Sequence, residues 1–510
     1  MPVPIFPQAL TTADIPLIFE RSSRGARATD LPSLDVPEAP LPESITSEHP
    51  PALPEVGQLD LVRHYTHLAA RNFSVDGNFY PLGSCTMKFN PPLNEAAAAE
   101  PTFTGLHPLQ DDIDTQGALH LLYELRQWLA EISGLDEVSL QPCAGAHGEY
   151  TALKVMRAYF NDSDGGNAPQ RRVVLAPDTA HGTNPASCTM CGADVVNVSS
   201  KDGLVDLDHL RSLVNSETAA MMITNPNTVG LFDGQIGQIA DILHDAGALL
   251  YLDGANMNAI VGVSRPGDFD VDIMHYNTHK TFSTPHGCGG PGAGPIAVRS
   301  FLSPYLPVPQ VGKRAKVAIE NQETEYYLDS DRPKSIGKVR SFFGQFGVLL
   351  RAWTYIAACG PQGLKHVAET AVLNSNYLAT QLRHRYETPY FDPSQQRYCA
   401  HEFITVPHTM LAYGVTLIDI AKRMIDFGIH PPTMHWPVHN CLMIEPTETE
   451  SKDTLDQFVH VMLEIADEIE VDIQQLKQAP HEAPVGRLDE VTAARSPVLV
   501  HQESQDVDDS

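Results

Sequence analysis

Between residues 115 and 300, short apolar runs alternate with amphipathic stretches at a spacing that leaves few folds open. Residues 173–175, 195–198, 221–224, 248–253, 273–276 and 295–298 read as strands. Residues 207–214 and 236–246 between them read as helices, with apolar positions recurring every three to four residues. Such alternation predicts a mostly parallel sheet covered by helices on both faces. No internal repeat is evident. After residue 345 the pattern changes. Residues 346–358 and 364–386 read as helices, 401–406 and 441–444 as strands. A long helix is expected from Ser451, with Leu455, Phe458, Met462, Ile465, Ile469, Ile473 and Leu476 on one apolar stripe and an acidic opposite face. This predicts a separate, smaller α+β domain.

The ends differ from the body. Residues 30–56 hold seven prolines, which a packed helix or central strand does not tolerate. They read as an extended arm over a partner or the protein's own body, or as a loose linker. The expected organisation is an N-terminal arm with helices over 1–95, a large domain over 96–345, a small domain over 346–482, and an acidic disordered tail over 483–510. A length of 510 residues accommodates about 2–4 domains.

Composition narrows the function classes. Hydrophobic residues make up 42% and charged residues 19%, as in a soluble enzyme with a real core. The formal charge of −29 argues against binding to nucleic acid or an anionic membrane. Eight scattered cysteines do not make the disulfide framework of a small secreted domain. Prolines interrupt the N-terminus where a signal peptide needs an apolar core. No run approaches the roughly 18 apolar residues of a membrane span. A cytoplasmic location is expected.

Ligands of an open parallel sheet bind at the carboxyl ends of its strands, so polar residues just after each strand are the candidates. QPCAGAHGEY (residues 141–150) precedes a helix expected at 153–159. Its small residues could expose backbone N–H groups to a phosphate, though the run alone is equally a tight turn. His181 follows the next strand and could lie against an aromatic ring, or be a solvated loop histidine. Asp253 ends an apolar strand, where a carboxylate is costly unless something needs its charge. A protonated pyridine nitrogen is such a partner, and Asp253 suits a helix N-cap poorly. Asn225 follows its own strand and could reach a phenolic oxygen. Lys280 follows the 273–276 strand. A lysine in a partly dry cleft is a nucleophile for an aldehyde. The glycine-rich run after it is no dinucleotide fingerprint, because prolines interrupt it and no helix follows. His275, His279, His286 and Cys288 match no standard zinc spacing, and Cys188 with Cys191 is an isolated CxxC pair.

Together these residues resemble the fold-type-I enzymes that use pyridoxal 5'-phosphate (PLP), which implies seven strands in the mostly parallel sheet of the large domain. Longer segments narrow the resemblance to the P-protein family of the glycine cleavage system. They are YPLGSCTMK (residues 80–88), AHGTNPAS (180–187), TNPNTVG (224–230), NTHKTF (277–282), HPPTM (430–434) and IEPTETESK (444–452). The resemblance runs from about residue 15 to about residue 480. It implies that Lys280 carries PLP, Asp253 pairs with the ring nitrogen and His181 stacks on the ring. The backbone of Ala146 and His147, with Thr278, would hold the phosphate, and Asn225 the ring oxygen. His181 or His279 could move protons. Cys143 and His147 stand where the family tends to have Asn and Gln. The family occurs as one long chain or as two subunits, and this length with the lysine motif resembles the lysine-bearing subunit. The implied partners are subunit 1, in an α2β2 assembly, and a lipoylated H-protein. The implied reaction decarboxylates glycine and passes its aminomethyl group to the lipoyl sulfur. Another fold-type-I activity, an aminotransferase or amino acid decarboxylase, is the rival reading; an inactive supporting subunit is a third.

Overall fold

A computed structural model describes residues 15–49, 51–163, 171–286, 292–315 and 324–499. Its main sheet has seven strands in the order Glu137–Ser139, Ile296–Val298, Ile273–Tyr276, Leu249–Gly254, Thr218–Thr224, Val173–Pro177 and Asp194–Val198. Only Ile296–Val298 runs against the others. The Glu137–Ser139 edge strand, three residues long, is too short to leave a period in the sequence. Successive residues point to opposite faces of a strand, and both faces are buried. Leu250, Leu252, Met221 and Ile223 join the core under the Gln116–Ser133 and Ile236–Asp245 helices. Leu249, Tyr251, Ala220 and Met222 join the core under the Gly145–Ser163 helix. This double burial is why the strands read as continuous apolar runs.

A second core gathers residues 378–476 and Phe79 around a three-stranded antiparallel sheet of Phe403–Thr405, Leu442–Ile444 and Thr433–Met434. The helix Phe346–Leu382 runs from the first core to the second. As expected it is two helices, which meet at a kink at Gly360 (φ 61°, ψ −179°), just before Pro361. Further on the expectation fails. The single long helix expected from Ser451 is two, Lys452–Val471 and Ile473–Gln478. Asp472 (φ −157°) ends the first and caps the second by accepting the Gln474 N–H. The apolar stripe continues across the break because both helices pack on the same core.

The arm over residues 31–53 is exposed throughout its described length, and Val56 is the first buried residue after it. The expected disordered tail is corrected in part. Arg487 pairs with Asp419 at 2.7 Å, and Glu490–Arg495 forms a short helix with no buried residue; residues 500–510 lie outside the described ones. No described helix is long and apolar enough to cross a membrane.

Candidate active site

A cavity of about 200 Å³ opens at the carboxyl ends of the parallel strands. Thr224 comes from one strand end, Asp253 from the next, and Lys280 from the turn after Ile273–Tyr276. The second core supplies the facing wall through His401 and Glu402, just before the Phe403–Thr405 strand.

Lys280 and Asp253 line this cavity together, as expected. The lysine turn closes through a Lys280 N–H bond to the Asn277 carbonyl at 2.9 Å. The turn is also braced from below. Lys88 is 3% exposed, and its Nζ donates to the Thr281 carbonyl and to Glu448, both at 2.7 Å. The Thr281 hydroxyl accepts the Met257 N–H at 2.9 Å. Two motifs far apart in sequence, residues 80–88 and 444–452, therefore meet under the turn that carries Lys280.

Asp253 is buried, which by itself would raise its pKa. The neighbouring His275 ring, an accepted Ala255 N–H at 3.0 Å and the Lys280 amine outweigh that and hold it below the ordinary value. His275 Nε2 stands 3.5 Å from the carboxylate, and its Nδ1 meets the Tyr251 hydroxyl at 2.6 Å. Burial lowers the His275 pKa. Asp253 is thus an ionised carboxylate with a fixed orientation.

Ala146 lines the cavity, and with it Gly145. The small-residue run is not a loop ahead of the helix, as expected, but its first turn: the helix spans Gly145–Ser163, and Gly148 N–H already bonds Ala144 O at 2.9 Å. Earlier N–H groups have no intrahelical acceptor. They make a ready anion cradle. A Cβ at Gly145 would clash with the Asn277 side-chain amide, which would have to move. His181 lines the cavity and packs edge-on against Trp436, with 5.3 Å between ring centres. Its Nδ1 meets the Thr183 hydroxyl at 2.8 Å, and burial lowers its pKa.

Three expected residues are not among those lining the cavity. Asn225 spends both ends of its amide on Asp233, donating to its carbonyl at 3.2 Å and accepting its N–H at 2.9 Å. Thr278 is fully buried, and both its N–H and its hydroxyl turn to the Ala293 carbonyl. The His147 ring folds back on Cys143, accepting its N–H at 3.2 Å; its own N–H still belongs to the first helical turn.

The sequence reading missed Ser84, Glu149, Thr224, Asn256, Asn277, His401 and Glu402 on the wall. Glu149 accepts from the hydroxyls of Thr183 (2.9 Å) and Ser187 (3.0 Å), and burial with the nearby Asp253 pushes it up to about 7. A usable signal existed for Glu402: it abuts an apolar strand, the same argument that singled out Asp253. His279 lines the cavity, with burial pushing it down to about 3. His279 and His286 pack edge to face at 5.1 Å, and Cys288 lies outside the described residues. Cys188 is buried beside Met222.

The donor set fits a flat, phosphate-bearing aldehyde. It offers an amine, an ionised carboxylate and a helix start around one cavity. Buried Thr224 Oγ1, Asn277 Oδ1 and His279 Nδ1 on its wall have no protein partner among the described residues, so polar ligand atoms would meet groups that need them.

Comparison with known proteins shows what the chain is similar to. Residues 30–400 match the family model described as glycine cleavage system P-protein. Residues 367–486 match the model described as glycine dehydrogenase, C-terminal domain. The chain is 52% identical over 496 residues to a probable glycine dehydrogenase (decarboxylating) subunit 2 of Halalkalibacterium halodurans, covering 96% of this chain and 98% of that one. It is 50% identical over 490 residues to the protein of that name from Caldanaerobacter subterraneus, covering 95% and 98%. Among solved structures, an inhibitor-bound glycine decarboxylase (P-protein) of the glycine cleavage system superposes with TM-score 0.69 at 23% identity, covering 83% of this chain and 93% of that one. A NifS-like protein superposes with TM-score 0.56 at 14% identity, covering 77% and 100%.

Proposed function

The chain belongs to the glycine cleavage system P-protein family, and from that premise we propose that it decarboxylates glycine with PLP and passes the aminomethyl group to the lipoyl disulfide of a carrier H-protein. The observation that carries this reading is Lys280 and Asp253 on one cavity wall with the Gly145–Ser163 helix start. When bound, PLP supplies an electron sink for the pair left on the glycine α-carbon as carbon dioxide departs.

The chain's own residues set up that chemistry. The Lys280 amine would be the attachment point for the aldehyde. Asp253, held ionised, would pair with the protonated ring nitrogen. The N–H groups at the start of the Gly145–Ser163 helix would hold the phosphate. His181, neutral and braced by Thr183 and Trp436, would pack on the ring. Thr224 Oγ1 and Asn277 Oδ1 are better placed than Asn225 and Thr278 to meet polar ligand atoms, since they line the cavity and lack partners among the described residues. The walls from the two cores shed water from the leaving carboxylate. We assign the site to a large domain over 96–345 closed by a small domain over 346–482. The second subunit, an α2β2 assembly and a cytoplasmic setting belong to the same proposal.

Borohydride reduction followed by mass spectrometry tests the reading. A pyridoxyl adduct on Lys280, absent in Lys280→Ala, is expected. With the second subunit and a lipoylated carrier, labelled bicarbonate should then exchange into the glycine carboxyl group. Exchange that ignores the carrier points instead to an ordinary amino acid decarboxylase, and no adduct on Lys280 refutes the catalytic reading.

A further inference from the structure

The wall facing Lys280 holds two carboxyl groups that the chemistry above leaves unused. Glu402 is 3% exposed and lines the cavity just before the Phe403–Thr405 strand; Glu445 is 0% exposed, just after the paired Leu442–Ile444 strand. Oxygens of both lie within 4.8 Å of each other and of a His401 ring nitrogen. Two negative charges this close in a dry wall do not both persist.

The donors around them differ. Glu445 accepts the Thr86 N–H at 3.1 Å, the Thr86 hydroxyl at 2.7 Å and Asn256 Nδ2 at 2.9 Å. Glu402 accepts one bond among the described residues, from the Ser84 N–H at 2.9 Å. Three donors favour the anion, whereas one leaves an oxygen free to carry the proton. Burial and the facing Glu445 push Glu402 up to about 8, and burial pushes Glu445 up to about 7. His401, 2% exposed, is pushed down to about 3 by burial, and its Nδ1 has no partner among the described residues. The groups facing Glu402 are thus neutral His401 beside it, Glu445 just after the paired strand, Cys85 beside Ser84, and Lys280 across the cavity. This is no metal cage, because protein donors already occupy both Glu445 oxygens.

We propose that Glu402 is the proton donor of this cavity and that it protonates the sulfur released when the carrier's lipoyl disulfide opens. The inference rests on the proposed function above. That reaction needs one proton. The bond from the glycine α-carbon to its carboxylate breaks, and its electron pair ends in a new carbon–sulfur bond. The disulfide is reduced, and its second sulfur departs as a thiolate. A proton passing from Glu402 gives the thiol and leaves Glu402 as a carboxylate, which regains its proton from solvent before the next turnover. An ordinary thiol ionises near pH ~8.5, so an acid titrating at about 8 is matched to it. Glu149, with two hydroxyl donors and Asp253 beside it, is the comparison residue.

The test uses the full chain with its second subunit, PLP and a lipoylated carrier. Infrared difference spectra, taken as pH is raised without substrate, should show a protonated-carboxyl band titrating near about 8. Glu402→Gln should lose that band and Glu149→Gln keep it. Carrier-dependent carbon dioxide release should fall as pH rises through the same region. Glu402→Gln should slow release by roughly 10²–10⁴-fold and abolish that fall, with Glu402→Asp recovering part of both. Cofactor trapping on Lys280 should stay at the wild-type level in Glu402→Gln. A Glu402→Gln protein that keeps the band, or keeps the alkaline fall in rate, overturns the assignment. A wild type that shows the band but no carrier-dependent release overturns the proposed function, and with it the sulfur as acceptor.

Discussion

Removing the Lys88 ammonium should damage the enzyme more than its distance from the chemistry suggests. Lys88 and Glu448 pair at 2.7 Å with side chains only 1% and 8% exposed. Lys88 Nζ also donates to the Thr281 carbonyl at 2.7 Å, with the Tyr355 hydroxyl a longer partner at 3.3 Å. Lys88→Met keeps most of the stem packing but deletes two short charge-assisted bonds. Each is worth about 1.5–3 kcal/mol, which agrees with the ~3–5 kcal/mol typical for orphaning one member of a buried pair. Glu448 is then left with the Tyr355 hydroxyl and Asn258 Nδ2, both at 3.4 Å. Replacing both partners, Lys88→Met with Glu448→Met, should cost less than the sum of the single changes, because no buried charge is stranded. Urea unfolding of the four proteins gives the coupling, expected between about 1 and 3 kcal/mol. Borohydride trapping on Lys280 should fall in Lys88→Met, because Thr281 loses its tether. If Lys88→Met costs under ~1 kcal/mol, or the two single changes simply add, the brace under the lysine turn is not structural in the way described.

Asp253→Asn should leave the Lys280 adduct intact and lower turnover at least about 10²-fold, read from trapping and carbon dioxide release on one sample; equal turnover would remove Asp253 from the chemistry. Gly145→Ala sets a Cβ against Oδ1, Nδ2 and Cγ of Asn277 at once, so the whole Asn277 amide must move, a strain of roughly 1–3 kcal/mol. Cofactor affinity should drop about tenfold to a hundredfold in an absorbance titration, and an unchanged affinity would refute the cradle. From these buried groups, stability should be highest on the mildly acidic side, between about pH 4.5 and 6.5. Burial raises Glu149, Glu402 and Glu445 to about 7, 8 and 7, so the folded state holds protons that the unfolded chain has already released. Their contribution is full below the unfolded value and is lost as pH rises through about 8. His279, His286 and His401, pushed down by burial to about 3, 4 and 3, act on the other side: the unfolded chain binds their protons first, and stability falls as pH drops below about 6.5. Urea midpoints across pH should show both limbs, and Glu402→Gln should flatten the alkaline one alone.

The parallel sheet was legible because its strands are buried on both faces and stand out as unbroken apolar runs. Lys280, Asp253 and His181 stood out because a costly or unusual residue follows such a run, whereas Ala146 came only with the family resemblance. Asn225 and Thr278 looked alike at that level, since sequence position does not say which way a side chain turns. Asn225 instead closes a turn with Asp233. The carboxyl wall needed tertiary knowledge. Nothing local says that residues 401–402 and 445 return to face a lysine more than a hundred positions earlier. The break at Asp472 was hidden for a related reason: the stripe of contacts keeps its spacing while the backbone resets.

The C-terminal origin of that wall has a consequence for biosynthesis. A ribosome releases the chain from its N-terminus, and the large sheet can assemble while the rest is still being made. Yet the brace on Lys88 waits for Glu448, and the cover over Lys280 waits for residues 401–445. A nascent chain stalled near residue 390 would therefore present the amine in an open trough. Stable cofactor capture is set to follow translation rather than accompany it, and C-terminal truncations should emerge as folded but colourless proteins.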